Sequence, residues 1–279
     1  MAQYQYRIVN VFAESIFGGN PLCVFEDARG LDSDAMQALA LQFNLSETTF
    51  VLPSSTATAH VRIFTPTFEM AFAGHPTLGT AQVVRELFST GDSLTLDMRA
   101  GIIAVNAVGD RWTLSANAPT FRDCEISTAQ IAAMLSLDVN DVLDGARWID
   151  TGSEQLIVPL VSADAVQRVQ PKADLLSAAS SNINRSMAYV FAPNGESKLL
   201  ARFFFLKMGS IVEDPGTGSA TANLGGWMLG ADRKLPLEFS IEQGASVNRL
   251  CYLGLRVDAN KQIFVSGRVI ELGRGTVTI

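Results

Sequence analysis

The sequence reads as an α+β protein built from two similar half-domains, and three observations carry that reading. Its apolar segments are mostly short and grouped in hairpin-like clusters, unlike the regular strand–helix alternation of a βαβ series. Two glycine-rich turns each follow an apolar run and open a helical pattern: Ala73-Gly74-His75-Pro76-Thr77-Leu78-Gly79-Thr80-Ala81, and Glu213-Asp214-Pro215-Gly216-Thr217-Gly218-Ser219-Ala220-Thr221-Ala222. Arg62-Ile63-Phe64 ahead of the first turn parallels Arg202-Phe203-Phe204 ahead of the second. A recurring strand–turn–helix unit implies two related halves, each aiming a helix N-terminus at a shared cleft.

With 279 residues, 48% of them hydrophobic and 18% charged, the chain can bury one large core or two ordinary ones. A net charge of −7 with no basic cluster gives nucleic-acid binding no electrostatic support. No apolar run approaches the ~20 residues of a membrane span, and Met1-Ala2-Gln3-Tyr4-Gln5-Tyr6 lacks the pattern of a signal peptide, so a cytoplasmic address is expected. Cys23, Cys124 and Cys251 are scattered and odd in number, which reads as reduced thiols. With only His60 and His75 and no CxxC, a His/Cys metal site is not expected.

In chain order, Tyr4 to Phe12 alternates as a strand, Phe17-Gly18-Gly19-Asn20-Pro21 is a turn, and Leu22 to Phe25 is a second strand. Ser33 is the expected N-cap of a helix to Phe43, whose Met36, Leu39, Ala40 and Phe43 keep the 3.6 period; Asn44 suits its stop. Thr48-Thr49-Phe50-Val51-Leu52 enters a strand. Pro76 is expected at the first position of a helix reaching Leu87, where its missing N–H costs nothing. Strands follow at 93–98, 102–107 and 112–116, and Asn117-Ala118-Pro119 marks the expected boundary between halves. Ser127 starts a helix through Ile131 and Leu135, and Asn140-Asp141 caps a short one. Residues 148–151 and 155–161 read as strands, 162–169 and 172–181 as helices, and 188–191 and 199–206 as strands. The apolar run from Leu199 ends at Ile211 and Val212, broken by Pro215 and Gly216. After the second turn's helix come four apolar runs, 237–241, 250–257, 263–269 and 276–279.

Both turns leave first-turn backbone N–H groups directed outward at the positive end of a helix dipole, which is an anion cradle; a plain tight turn capped by Ser219 is the alternative for the second. Glu47 lies among Leu45, Thr48, Thr49 and Phe50, where desolvation would raise a carboxyl toward neutrality and let it take and give a proton; a solvent-facing Glu at a helix end is the alternative. His75 sits at a helix start, where the dipole favours a neutral imidazole able to donate or accept; a capping or buried structural histidine competes with that reading. Asp214 either orients His75 or a substrate polar group, or serves only the turn; Glu213 reads as its structural neighbour. Gly216-Thr217-Gly218-Ser219-Ala220-Thr221 has Thr where a dinucleotide fingerprint needs its third glycine, and GxSxG and GxxxxGK[ST] do not occur.

Four blocks together resemble the phenazine-biosynthesis isomerase (PhzF-like) family of the diaminopimelate-epimerase-like fold: Gly18-Gly19-Asn20-Pro21-Leu22-Cys23-Val24, Asn44-Leu45-Ser46-Glu47-Thr48-Thr49-Phe50, Arg62 to Ala81, and Glu213 to Ala220. Gln243-Gly244 with Arg249 resembles a later Gln-Gly…Arg-Pro-Ser element, with Leu250 and Cys251 in place of Pro and Ser. The resemblance implies two pseudo-symmetric halves, residues 1–117 joined by a C-terminal strand of about 268–279, and residues 118–267. Each is a mostly antiparallel sheet wrapped round a central helix, with the site in the cleft between. It implies a cofactor-free proton shuttle in a cytoplasmic homodimer, with Glu47 as acid/base, His75 and Asp214 as polar partners, and Ser46, Gly74, Gly216, Thr217, Gly218 and Ser219 holding the substrate carboxylate. The racemases of this fold place a cysteine in each half; here Ala73 and Pro215 occupy those places, and neither can move a proton. The expected activity is an isomerase moving a proton between carbons of a small anionic metabolite, dihydro-hydroxyanthranilate-like. A non-catalytic metabolite-binding protein, and a metal-free dehydratase or epimerase of amino or hydroxy acids, are the alternatives.

Overall fold

The computed structural model describes residues 1–182 and 184–279. They form two compact units, one of residues 1–115 with 266–279 and one of residues 116–265, and both combine helices with a mixed sheet, an α+β arrangement. Among the described residues no helix is long and apolar enough to cross a membrane.

The first unit runs β1 (Gln3–Val11), β2 (Asn20–Phe25), α1 (Ser33–Phe43), β3 (Glu47–Leu52), β4 (Ala59–Phe64), β5 (Glu69–Met70), α2 (Gly74–Phe88), β6 (Ser93–Met98), β7 (Gly101–Val108) and β8 (Arg111–Ser115). β1 and β2 are antiparallel, β2 and β3 parallel, β3 antiparallel to β4, β4 antiparallel to β5 and parallel to β6, and β6, β7 and β8 an antiparallel meander. Each parallel step has a helix in its connection, as a parallel crossover requires. Gly74 to Ala81 of α2 are buried without a break, more than two turns, so no side of that stretch meets water. β1, β2, β3, β6 and β8 pack around it. Gly79 permits this closeness: a Cβ there would lie 2.6 Å from Leu22 Cδ2 and 2.9 Å from Val11 Cγ2. Leu22 thus faces α2, while Cys23 and Phe25, by the period of two, join Phe50, Phe64 and the Met36, Leu39 and Ala40 stripe of α1 in a second layer.

The second unit runs β9 (Thr120–Asp123), α3 (Thr128–Leu135), β10 (Arg147–Asp150), β11 (Gln155–Pro159), α4 (Ala163–Arg168), α5 (Ala173–Ala178), β12 (Met187–Pro193), β13 (Lys198–Lys207), β14 (Ser210–Asp214), α6 (Gly218–Gly230), β15 (Leu237–Gln243) and β16 (Cys251–Val257). The last strand, β17 (Ile263–Thr278), begins in this unit and continues in the first, where it pairs antiparallel with β1. β9, β10 and β11 are antiparallel, β11 and β12 parallel, β12 antiparallel to β13, β13 antiparallel to β14 and parallel to β15, and β15 antiparallel to β16. Ala220 to Gly226 of α6 are buried in succession against β10, β11 and β16. At Gly226 a Cβ would fall 2.8 Å from both Ile149 Cγ2 and Pro119 Cβ. α3, α4 and α5 carry a separate core, with Ile131, Leu135, Val166 and Leu176 packed on Trp148, Leu156 and Val158.

Several boundaries differ from the sequence expectation for identifiable reasons. The N-cap of α1 is Asp32, whose carboxylate accepts from Ala35 N–H at 2.8 Å; Ser33 Oγ instead accepts from Arg62. Helix α2 starts at Gly74, so Pro76 is its third residue, still among the first-turn positions with no intrahelical N–H bond to lose. The run from Leu199 is a hairpin of β13 and β14, turned at Met208 (φ 51°) and Gly209 (φ 78°). The short strands β5 and β9 had no sequence signal, and the two final apolar runs are one strand. Asn44 does stop α1 in the left-handed conformation, and Ser127 forms a full capping box with Gln130.

Because Pro119 cannot rotate away, Gly226→Val should overpack the inner face of α6 and lower unfolding free energy by about 1–3 kcal/mol in urea denaturation. Unchanged stability would mean that α6 is not held this closely.

Candidate active site

The start of α2 and the start of β3 make one polar cluster in the first unit. The parallel register sets Leu22 opposite Glu47, which places Pro21 beside the first residue of β3. His75, second residue of α2, is 7% exposed, and its Nε2 lies 3.3 Å from Oε2 of Glu47, whose side chain is 16% exposed. The ring also hydrogen-bonds the backbone of Pro21. Proline has no N–H, so the Pro21 carbonyl accepts and the imidazole donates. With Nε2 facing Glu47, that donor is Nδ1, and a neutral ring then presents its Nε2 lone pair to the carboxyl. Burial, opposed by the Pro21 bond, lowers the His75 pKa from the ordinary 6.5 to about 3, so the ring is neutral at physiological pH. Gly74 is buried in the same turn and Ser46 is exposed just ahead of Glu47. No side chain caps α2, since its N-cap is Ala73.

The second cluster surrounds the start of α6. The Asp214 carboxylate accepts a short hydrogen bond from the Thr217 hydroxyl, and Thr217 is the N-cap, with no side-chain bond to the helix. Gln243, wholly buried at the end of β15, braces this turn three ways. Its Nε2 donates to the Asp214 carbonyl at 2.9 Å and lies 3.0 Å from Thr217 Oγ1, while its Oε1 accepts from Thr217 N–H at 3.3 Å. Gly244 follows at φ 85°, where any Cβ would drive into the backbone of Pro215 and Arg249, so the turn needs glycine there. Gly216, Thr217 and Gly218 are buried; Ser219 is half-buried, and its Oγ accepts from Gln155 Nε2 at 3.0 Å. Ser219 is thus inside the helix and does not cap it. Glu213 is held by Arg202 in a two-pronged ion pair at 2.7 and 3.0 Å, a structural role.

The structure brings Ser46, Glu47, Gly74 and His75 together in the first unit, and Asp214, Gly216, Thr217, Gly218 and Ser219 together in the second. Sequence reasoning passed over Gln155 and Asn223 and gave Gln243 no role. The available signal was an amide standing in an otherwise apolar buried segment, Gln155 before Leu156–Pro159 and Asn223 within the Ala/Leu/Gly helix.

Comparison with known proteins gives the class first. The whole chain is 38% identical over 284 residues to an uncharacterized isomerase of Pasteurella multocida, covering 96% of that protein. It is 31% identical to the trans-2,3-dihydro-3-hydroxyanthranilate isomerase of Pseudomonas fluorescens, over 99% of this chain and 100% of that one. The crystal structure of a PhzF-family phenazine biosynthesis protein of Bacillus anthracis superposes with a TM-score of 0.89 at 27% identity over the full length of both. The chain is an isomerase, and it belongs to the phenazine biosynthesis-like (PhzC-PhzF) family, whose model matches residues 9–275.

A neutral buried His75 has a consequence for stability. The unfolded chain takes up a proton at this residue below the ordinary 6.5, but the folded protein does not until about 3, so the unfolded state binds more protons across that window and stability rises with pH. The contribution is complete above pH 6.5 and lost as the pH falls toward 3. Urea midpoints between pH 7 and 4 should drop more steeply in wild type than in His75→Gln; equal slopes would refute a neutral buried ring. Separately, Gln243→Leu strands the Thr217 N–H and the Asp214 carbonyl and should lower unfolding free energy by about 1–3 kcal/mol in the same assay.

Proposed function

We propose that the protein is a cofactor-independent isomerase that moves a proton between two carbons of a small carboxylate metabolite of the dihydro-hydroxyanthranilate kind. Glu47 is its acid/base. The substrate class comes from the Pseudomonas fluorescens relative. The observation that carries the mechanism is the pairing of Glu47 with a neutral histidine at 3.3 Å in a nearly dry setting. An imidazolium there would hold the carboxylate ionised and weaken it as a base. The neutral ring leaves Glu47 free to alternate. As carboxylate it removes the C–H proton, and the electron pair spreads into the conjugated system of the substrate. As acid it hydrogen-bonds to the Nε2 lone pair until it delivers the proton to the second carbon, regenerating the carboxylate. His75 holds this carboxyl, and Asp214 fixes the second polar turn through Thr217. Gly218 and Ser219, with Gly74 and Ser46, supply donors to the substrate carboxylate, while Gly216 and Thr217, expected to join them, shape the turn: both Thr217 donors are taken, by Gln243 and by Asp214.

We also infer that the two units are pseudo-symmetric halves of a diaminopimelate-epimerase-like fold, 1–117 with 268–279 and 118–267. Supporting this, the order of pairings recurs: a parallel step, two antiparallel steps to a short strand, a second parallel step across a buried helix, then an antiparallel step. Arg62–Glu69 and Arg202–Glu213 are ion pairs at matching places, each joining the strand before a buried helix to its short neighbour. A cytoplasmic homodimer agrees with three free cysteines and with the family resemblance; sedimentation equilibrium at twice the chain mass would establish the dimer.

The test is proton NMR in D₂O with trans-2,3-dihydro-3-hydroxyanthranilate. Wild type should place deuterium on one ring carbon as substrate is consumed. Glu47→Gln should slow this by about 10²–10⁴-fold while still binding substrate. Undiminished exchange in Glu47→Gln would remove Glu47 from the chemistry.

A further inference from the structure

A buried chain of amides behind Ser219 fixes which way its hydroxyl can point, and each link follows from a backbone group whose polarity is unambiguous. One end of the Asn223 amide faces Thr151 N–H at 2.9 Å and the Thr151 hydroxyl at 2.7 Å. A backbone N–H only donates, so that end is Oδ1. The other end faces the Ser153 carbonyl at 2.8 Å, which only accepts, so it is Nδ2. Its second hydrogen goes to Gln155 at 2.9 Å, so the Gln155 atom there is Oε1. Gln155 therefore turns Nε2, a pure donor, toward Ser219 Oγ at 3.0 Å. Ser219 must accept inward. Its own hydrogen is left to donate elsewhere, and among the described residues nothing takes it.

Thr151, Gln155 and Asn223 are all buried, Gln155 at 2% exposure and Asn223 at 0%, whereas Ser219 is half-buried. A fully bonded interior network ending on a partly exposed hydroxyl is a costly arrangement for packing alone, since apolar residues of the same shape would serve. We infer that Gln155, oriented by Asn223 and Thr151, is a positioning residue that turns the Ser219 hydrogen outward and keeps it available to a ligand. The Ser219 hydrogen is thereby kept for an accepting oxygen of the ligand, such as that of an ionised carboxylate. The inference rests on the assignment of Ser219 to the substrate carboxylate made above.

The test uses anthranilate as a carboxylated probe, with dissociation constants from titration calorimetry on the full chain at pH 7.5. Gln155→Glu keeps the shape but replaces the inward donor with an acceptor, so the Ser219 hydrogen is drawn inward. Expected results are a Kd raised about 10-fold or more by Gln155→Glu and by Ser219→Ala, and little further loss when the two are combined, because both remove one bond. A like-charge effect alone would persist in the Ser219→Ala background; full additivity would overturn the relay. The Gln155→Glu defect should also shrink as the pH is lowered toward 5 and the new carboxyl gains a proton that it can donate to Ser219, an effect that a packing defect would not show. Melting temperatures identify variants that have lost their fold, and for these Gln155→His, with a ring N–H in place of the amide donor, should restore affinity. If Ser219→Ala binds anthranilate as wild type does, the substrate role of Ser219 fails. If Ser219→Ala weakens binding and Gln155→Glu does not, that role stands and the relay is wrong.

Discussion

A helix surrounded by its own sheet must end somewhere, and the first turn is where its unpaired N–H groups accumulate. In each unit this constraint shapes the rest. α2 and α6 are buried along stretches of about two turns, and glycines at their closest contacts permit it. Neither start has a side-chain cap, although Asp32, Ser127 and Ser162 cap other helices of the same chain. α5, with Lys172 at its N-cap, also lacks one, but in α2 and α6 the absence leaves buried first turns polar where the flanking sequence is rich in glycine.

The two starts are then treated differently. At α2 the neighbours are an imidazole and a carboxyl, set beside each other by the register of β2 on β3. At α6 they are hydroxyls and amides, with the one carboxylate engaged by Thr217 and the turn clamped by Gln243. Titratable groups gather at the first start. Groups that donate or accept in fixed directions gather at the second.

Much of this was legible in the sequence. The glycine-rich turns, the alternating strands and the Asn44 stop are local signals, and local signals survive because the backbone obeys them whatever surrounds it. Ser33 and Asp32 show where that ends. Both are good N-caps, and the choice was made by Arg62, far along the chain, which engages Ser33 Oγ. The strand from Leu199 to Leu206 was legible, but its return strand beyond Met208 was not, because the turn lacks Asn or Asp ahead of the glycine. Gln155, Asn223 and Gln243 were invisible for the same reason as Arg62: an amide has meaning only through its partners, and those lie 26 to 72 residues away.

The neutrality of His75 ties these strands together. A histidine beside a carboxylate is ordinarily held charged by it, and such a pair is an ion pair with little chemistry left. Here desolvation dominates, and the Pro21 carbonyl fixes the tautomer, so the ring offers a lone pair in place of a proton. In the proposed mechanism the carboxyl is then the group that gains and loses the proton, and the histidine its acceptor. That division depends on keeping water out of the first turn of α2, which brings the chemistry back to the packing: the glycine that lets Leu22 and Val11 close on α2 lies four residues beyond His75, one turn along the same helix.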